Sequence, residues 1–297
     1  MSQHAPRAMQ QDLRRIIWIA SFPKSGNTWL RTFLAKVLVP DNVEIDINSL
    51  RRFTTADVRQ DFFDRASGRN PFVAEDFDDW LRTRQKALAL IAASKPGMHF
   101  VKTHSRLEAI GKLPLIPPRV TAGALYVLRN PFDVAQSYAR HLGLDLDRTI
   151  EMMMNPKALN ASDTRIFEVI GRWDEHIDTW LKPPGLMRHV MRYEDMHADP
   201  HGTFTTLLSF MKADVPAERV ARALEETSFD ALKSQEEKTG FIERPGHMKA
   251  FFAKGRAGSW REELTPAQIA RLRKAFLPAI ERWYPEMVEE TAEAARA

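Results

Sequence analysis

The chain reads as an α/β fold, a mainly parallel central sheet flanked by helices, folded as one domain. Three observations predict this. Four short runs are almost continuously apolar and rich in β-branched residues, as parallel strands covered on both faces require. Segments of helical apolar period separate them, and such alternation is the pattern of a parallel sheet. No internal repeat or low-complexity linker divides the 297 residues. A single domain over 1–297 is therefore expected, with a core over about 16–285 and flexible ends.

The predicted strands are IIWIASF (16–22), HFVKTH (99–104), ALYVLRN (124–130) and HVMRYED (189–195). In the first helix Leu30, Phe33, Leu34, Val37 and Leu38 recur at three- and four-residue steps, and Pro40 ends it. A second helix is expected from Glu75 to Ser94. A third runs from Pro131 to Leu142, where Asn130 supplies a cap and Pro131 the first helical position. Thr265-Pro266 repeats that signal ahead of a stripe of Ile269, Leu272, Phe276, Ile280 and Trp283. Residues 41–74 look irregular around their phenylalanines. Residues 234–263 are rich in Gly, Lys and Arg without a period, and so long a loop is usually functional or disordered. The closing VEETAEAARA is expected to fray.

Cysteine is absent, which excludes disulfides, thiolate metal sites and a Cys nucleophile together. That also fits a reducing compartment. The net charge of +4 comes from 43 basic and 39 acidic residues, with no basic block of the kind that marks a nucleic-acid tail. MSQHAPRAMQQDLRR lacks the apolar core of a secretory signal. IIWIA and ALALIAA are too short to span a bilayer. The expectation is a cytoplasmic protein with no nucleic-acid partner and no membrane span. With no acidic or His cluster at ligand spacing, no metal is expected.

Three segments carry chemistry. SFPKSGNTWLRTFL sits where a strand hands over to a helix, whose first N–H groups are unpaired and form an anion site. There Gly26 permits close backbone approach and Lys24 adds a charge. A nucleotide kinase or GTPase would need GxxxxGK[ST], but here lysine precedes the only glycine. YVLRNPFDVAQSYARH offers Arg129 at a strand end, with Ser137 two turns into the next helix. HFVKTHSR places Lys102, Thr103 and His104 at a carboxyl strand end, where open α/β sheets bind ligands. Taken alone, the first two segments have structural alternatives: a common glycine-bearing turn, and a surface arginine paired with Asp133.

PKSGNTW resembles the 5′-phosphosulfate loop of the sulfotransferases that use 3′-phosphoadenosine 5′-phosphosulfate (PAPS), a fold related to the P-loop kinases. The Arg129 segment resembles the same family's 3′-phosphate motif. The resemblance implies that Lys24, Ser25, Gly26, Asn27 and Thr28 hold the 5′-phosphate, Trp29 stacks on adenine, and Arg129 and Ser137 hold the 3′-phosphate. MRYEDM, TSFDALK and FFAKGRAGSW resemble later family segments in the family's order. They imply Tyr193, Thr227 and Phe229 in the nucleotide pocket, with Lys254 and Gly255 completing the 3′-phosphate site. The likeness runs from about residue 16 to 265. It departs at Ala253, where the family usually has arginine, and at Ser259, where it has aspartate; Arg256 is close enough to substitute.

By the same resemblance the KTH triplet makes His104 the general base that takes the acceptor's proton. Lys24 would meet charge on the departing 3′,5′-bisphosphate and Lys102 would steady the equatorial oxygens. Ser137 would hold Lys24 until the acceptor arrives. The expected reaction is sulfuryl transfer from PAPS to a hydroxyl of a small or medium-sized phenol or alcohol. A glycolipid, glycopeptide or other natural-product hydroxyl is the alternative acceptor. Phe62, Phe63, Phe72, Phe77, Trp80, Met152, Met153, Met154, Phe241 and Met248 are candidates to line its pocket. A nucleotide or sugar kinase and an inactive binder of the bisphosphate remain the alternatives of other classes. Oligomeric state stays open: the family's KxxxTVxxxE dimer segment reads REELTPAQIA here.

Overall fold

A computed structural model describes residues 14–296; residues 1–13 and 297, with most of the N-terminal stretch read for a signal, lie outside the described residues. Five strands form the central sheet: β1 (Ile16–Ser21), β2 (Thr55–Ala56), β3 (His99–Thr103), β4 (Thr121–Leu128) and β5 (Arg188–Arg192). Their order is β2-β3-β1-β4-β5 and every pairing is parallel. Four are the runs expected from sequence. The fifth, β2, is a two-residue edge strand, too short to carry a periodic signal.

β1 lies at the centre, where alternate side chains enter different cores. Ile16, Trp18 and Ala20 join one apolar cluster, and Ile17 and Ile19 pack with the other. The principal helices are α1 (Asn27–Leu38), α2 (Phe77–Ala93), α3 (Pro131–Leu142), α4 (Trp173–Leu181), α5 (Phe229–Thr239) and α6 (Pro266–Trp283). The Leu30, Phe33, Leu34 and Val37 stripe of α1 covers the Ile19 face. On the Trp18 face lie Trp80 of α2, Trp173 and Trp180 of α4, and Phe276 of α6.

Caps set the helix starts. Asn130 accepts the Asp133 N–H at 2.9 Å ahead of Pro131, and Thr265 forms a capping box with Gln268. α2 begins two residues later than expected because Asp76 caps it, accepting the Asp79 N–H at 2.7 Å.

Several expectations need correction. Residues 41–74 contain β2 and the short helices Leu50–Phe53 and Gln60–Ser67, which bury Phe62 and Phe63. The aperiodic tract from 234 begins as the last turns of α5, and the loop proper starts at Gly240. Met152, Met153 and Met154 close the helix Leu146–Met154, with Met153 in the core. The terminal segment expected to fray holds the helix Val288–Ala294, whose Thr291 is buried.

One buried ion pair braces the site end of β3. Arg84 Nη2 meets Asp57 Oδ2 at 2.5 Å with both side chains fully buried, and the Thr103 hydroxyl donates to the same oxygen at 2.7 Å. Removing one partner leaves an uncompensated buried charge. Asp57→Ala is expected to cost ~3–5 kcal/mol of folding stability, read from the denaturant midpoint at constant slope. A loss below about 1 kcal/mol would contradict this account of the pair.

Candidate functional site

The carboxyl ends of β1, β3 and β4 open into a cavity of about 300 Å³. After β1 the chain turns through Lys24, whose φ is 66°, and Gly26, whose φ is 104°, before α1 begins at Asn27. A Cβ on Gly26 would stand 2.6 Å from Tyr193 Cδ2, so the turn closes only over glycine. Asn27 pins the turn to the sheet by donating to Ile19 O at 3.0 Å. No side chain caps α1 and no acidic residue stands in its first turn, so its N-terminal dipole end stays open to an anion.

Arg129, at the end of β4, ties this turn to the Gly-rich loop. Its guanidinium donates to Lys24 O at 3.1 Å and to Arg256 O at 3.3 Å, and lies 4.1 Å from the Tyr193 ring centroid. Its Nε is buried without a partner, as are Trp29 Nε1, Ser25 Oγ and Asn27 Oδ1. Asp133, 4.0 Å from the Arg129 guanidinium, faces the loop. It accepts from the amides of Gly258 at 2.7 Å and Trp260 at 3.0 Å. The Phe229 ring lies across Gly255, where a Cβ would fall 1.8 Å from a ring carbon. Thr227 returns its hydroxyl to Ala223 O at 2.7 Å, and Ser228 caps α5.

The reacting end holds two lysines and a histidine. His104 Nδ1 lies 2.8 Å from Ser21 O. A carbonyl only accepts, so Nδ1 carries the proton and Nε2 keeps its lone pair. Burial, then the Lys102 charge, bring this imidazole down to about 3 and keep it neutral. Behind it, His176 donates from Nε2 to His104 O at 3.1 Å and accepts the Tyr126 hydroxyl at Nδ1, 2.8 Å away. His176 thus fixes the His104 backbone from the core. Burial, then Arg129, Arg140 and Lys102, lower the Lys24 ammonium to about 7. It sits 3.6 Å from the Phe251 ring centroid. Lys24 and Ser137 both line the cavity, and among the described residues no hydrogen bond joins them.

Of the predicted site residues, Lys24, Gly26, Asn27, Thr28, Trp29, Lys102, His104, Arg129, Ser137, Tyr193, Thr227, Phe229, Lys254 and Gly255 all line this one cavity. Ser25 does not; it is 1% exposed. Arg256 also stays outside, pairing with Glu262. The expected acceptor lining is largely wrong: of those ten aromatic and methionine candidates only Met248 reaches the cavity. Phe62, Phe63, Phe72 and Trp80 belong to the core.

Sequence reasoning missed several wall residues. Glu243 is gripped by Arg31 through bonds of 2.8 and 2.7 Å. Against the pull of burial towards its neutral form, Arg31 holds this carboxyl at about 2. The same arginine donates to Thr28 Oγ1 at 3.2 Å, leaving the Thr28 hydrogen free to point at a ligand. Asn160 and Glu168 are opposed on a short hairpin, and Asn160 accepts from Tyr138 at 3.1 Å. Arg140, His141 and Phe251 are also on the wall. Spacing gave no signal for these; only the i+3 step from Ser137 to Arg140 was readable.

The unpartnered donors around the turn, together with its open amide cradle, fit a phosphorylated nucleotide. Among the described residues no group of three His, Asp or Glu side chains is placed to hold a metal ion. No helix among them is long and apolar enough to cross a membrane.

The sulfotransferase domain family matches residues 14–289. Cytosolic sulfotransferase 1 of Arabidopsis thaliana is 28% identical over 264 residues, covering 84% of this chain and 74% of its own. Sulfotransferase 1E1 of Mus musculus is 24% identical over 266 residues, covering 84% and 78%. Among solved structures, mouse sulfotransferase SULT7A1 complexed with PAP superposes with a TM-score of 0.59 at 18% identity, over 96% of this chain and 95% of that one. Retinol dehydratase in a complex with retinol and PAP gives 0.61 at 22% identity, over 89% and 81%.

Proposed function

The chain belongs to the sulfotransferase domain family, and from that premise we propose that it moves the sulfuryl group of PAPS to a hydroxyl of a small or medium-sized phenol or alcohol. The observation that carries this reading is Arg129: one side chain bonds both the strand–helix turn and the Gly-rich loop, in the cavity that also holds His104. Two anion sites so joined suit a nucleotide with a phosphate at each end.

When bound, PAPS supplies an activated sulfuryl group on a bisphosphate leaving group. The amides of residues 25–28 and the Thr28 hydroxyl bind at its 5′ end, and Arg129, Ser137, Lys254 and the Gly255 backbone at its 3′ end. Trp29, Tyr193, Thr227 and Phe229 enclose the base. His104 Nε2 takes the proton of the acceptor hydroxyl, and its orientation is held by the Ser21 carbonyl. The Lys24 ammonium faces the negative charge that leaves with the bisphosphate, and Lys102 the sulfuryl oxygens. A cytoplasmic setting goes with this reading, since the plant relative is named cytosolic.

One observation favours the alternative acceptor. The opposed Asn160 and Glu168 put an amide and a carboxylate on the cavity wall, with no cation paired to Glu168 among the described residues. A wall of this kind suits an acceptor with several hydroxyls, such as a sugar-bearing natural product. Labelled PAPS offered with phenols, sterols, sugars and glycosides tests both. Transfer to at least one hydroxyl class is expected; none across the panel would contradict the proposal.

A further inference from the structure

At one edge of the cavity two cations close on a single carboxylate. Arg140 Nη1 donates to Glu263 Oε2 at 3.0 Å, and Lys254 Nζ pairs with Glu263 Oε1. Both cations line the cavity beside Arg129 and Ser137. Arg140 stands three residues after Ser137 on α3, so the two are neighbours on one helix face. A carboxylate gripped by two cationic donors has the chemistry of two phosphate oxygens held in the same way. Arg256, the arginine nearest the loop in sequence, is engaged elsewhere: its guanidinium pairs with Glu262 and is half-exposed.

We propose that Arg140 is a further phosphate-binding residue, which grips the 3′-phosphate together with Lys254, and that Glu263 fills this place when no nucleotide is bound. This rests on the PAPS reading above. A phosphate monoester near two negative charges outcompetes one carboxylate for the same two cations. Glu263 then keeps a neutral partner. The Gln136 amide orientation that satisfies all its neighbours puts its nitrogen 3.0 Å from Glu263 Oε1 and its oxygen 2.7 Å from the Trp260 N–H. Through Arg140 and Lys254 the site thus carries its own competitor, which sets how tightly product is retained. Arg140 is also the second-largest charge acting on Lys24, after Arg129.

A mere staple between α3 and the short helix Trp260–Glu263 would behave differently, because both partners would then matter alike. Calorimetric affinities of the full chain for adenosine 3′,5′-bisphosphate and for 5′-AMP separate the cases. Arg140→Ala should weaken the bisphosphate ~10–100-fold while leaving 5′-AMP within about twofold, the scale of losing a charged hydrogen bond. Arg140→Lys should recover part of the loss. Glu263→Gln should bind the bisphosphate ~3–10-fold more tightly, since a charged competitor has become neutral. Equal losses for the two nucleotides, or a weakening by Glu263→Gln to match Arg140→Ala, would overturn the assignment. Wild-type protein that ignores the bisphosphate would sink the PAPS reading and this inference with it. Wild-type binding matched by Arg140→Ala would sink this inference alone.

Discussion

His104→Gln should lower kcat by ~10²-fold or more and leave the dissociation constant of adenosine 3′,5′-bisphosphate within about twofold. Glutamine keeps a polar side chain of similar reach but cannot accept a proton as imidazole does. The structure separates the two readouts. His104 bonds to the Ser21 carbonyl and is backed by His176, and neither contact is a phosphate-binding group. Its neutral state has a pH consequence. With the imidazole held down to about 3 by burial and Lys102, acid should not silence it until well below pH 5. Bound phosphate charge raises that value, which shifts the acid limb upward but not past the unperturbed histidine range without a further partner. A variant that turns over within about threefold of wild type would remove His104 from the proton transfer.

Lys24→Met should cost ~10³-fold in kcat/KM for the donor, because one cation is lost both from anion binding and from leaving-group stabilisation. The pH dependence is the sharper readout. In the free protein Lys24 titrates near 7, lowered first by burial and then by Arg129, Arg140 and Lys102. Below that pH it is charged and ready for the anion. Above it, binding must first return a proton to Lys24, so bisphosphate affinity should fall by up to tenfold per pH unit until the bound-state value is passed. Proton uptake on binding at pH 8, seen as a buffer-dependent heat, is expected in wild type and absent in Lys24→Met. Identical pH profiles for the two proteins would contradict this.

What could be read from the letters, and what could not, follows from range. β1, β3 and β4 are mostly buried, so their apolar runs are plain, whereas β2 is two residues at one edge and β5, at the other, buries only Met191. Asn130 and Thr265 announced their helices because a cap is a local event. The strand–helix turn was legible for the same reason, and Arg129 through its place at a strand end just ahead of the Asn130 cap, although its partners Lys24 and Arg256 are distant in sequence. Glu243 and Glu168 were not legible, since their places depend on an aperiodic loop and a hairpin folding back over the sheet. The phenylalanines near 62–77 misled because apolarity alone does not distinguish a core from a pocket wall. Phe62 and Phe63 sit on the buried side of the helix Gln60–Ser67, while Phe251, from the unreadable loop, meets Lys24.

The central claim is that a single nucleotide spans two anion sites joined by Arg129. Calorimetry of the purified chain with adenosine 3′,5′-bisphosphate, 5′-AMP and ATP with magnesium tests it most directly. The bisphosphate should bind at least ~10-fold more tightly than either of the others, as a second charged phosphate contact requires. Affinity for ATP–magnesium equal to or above that for the bisphosphate would contradict the account.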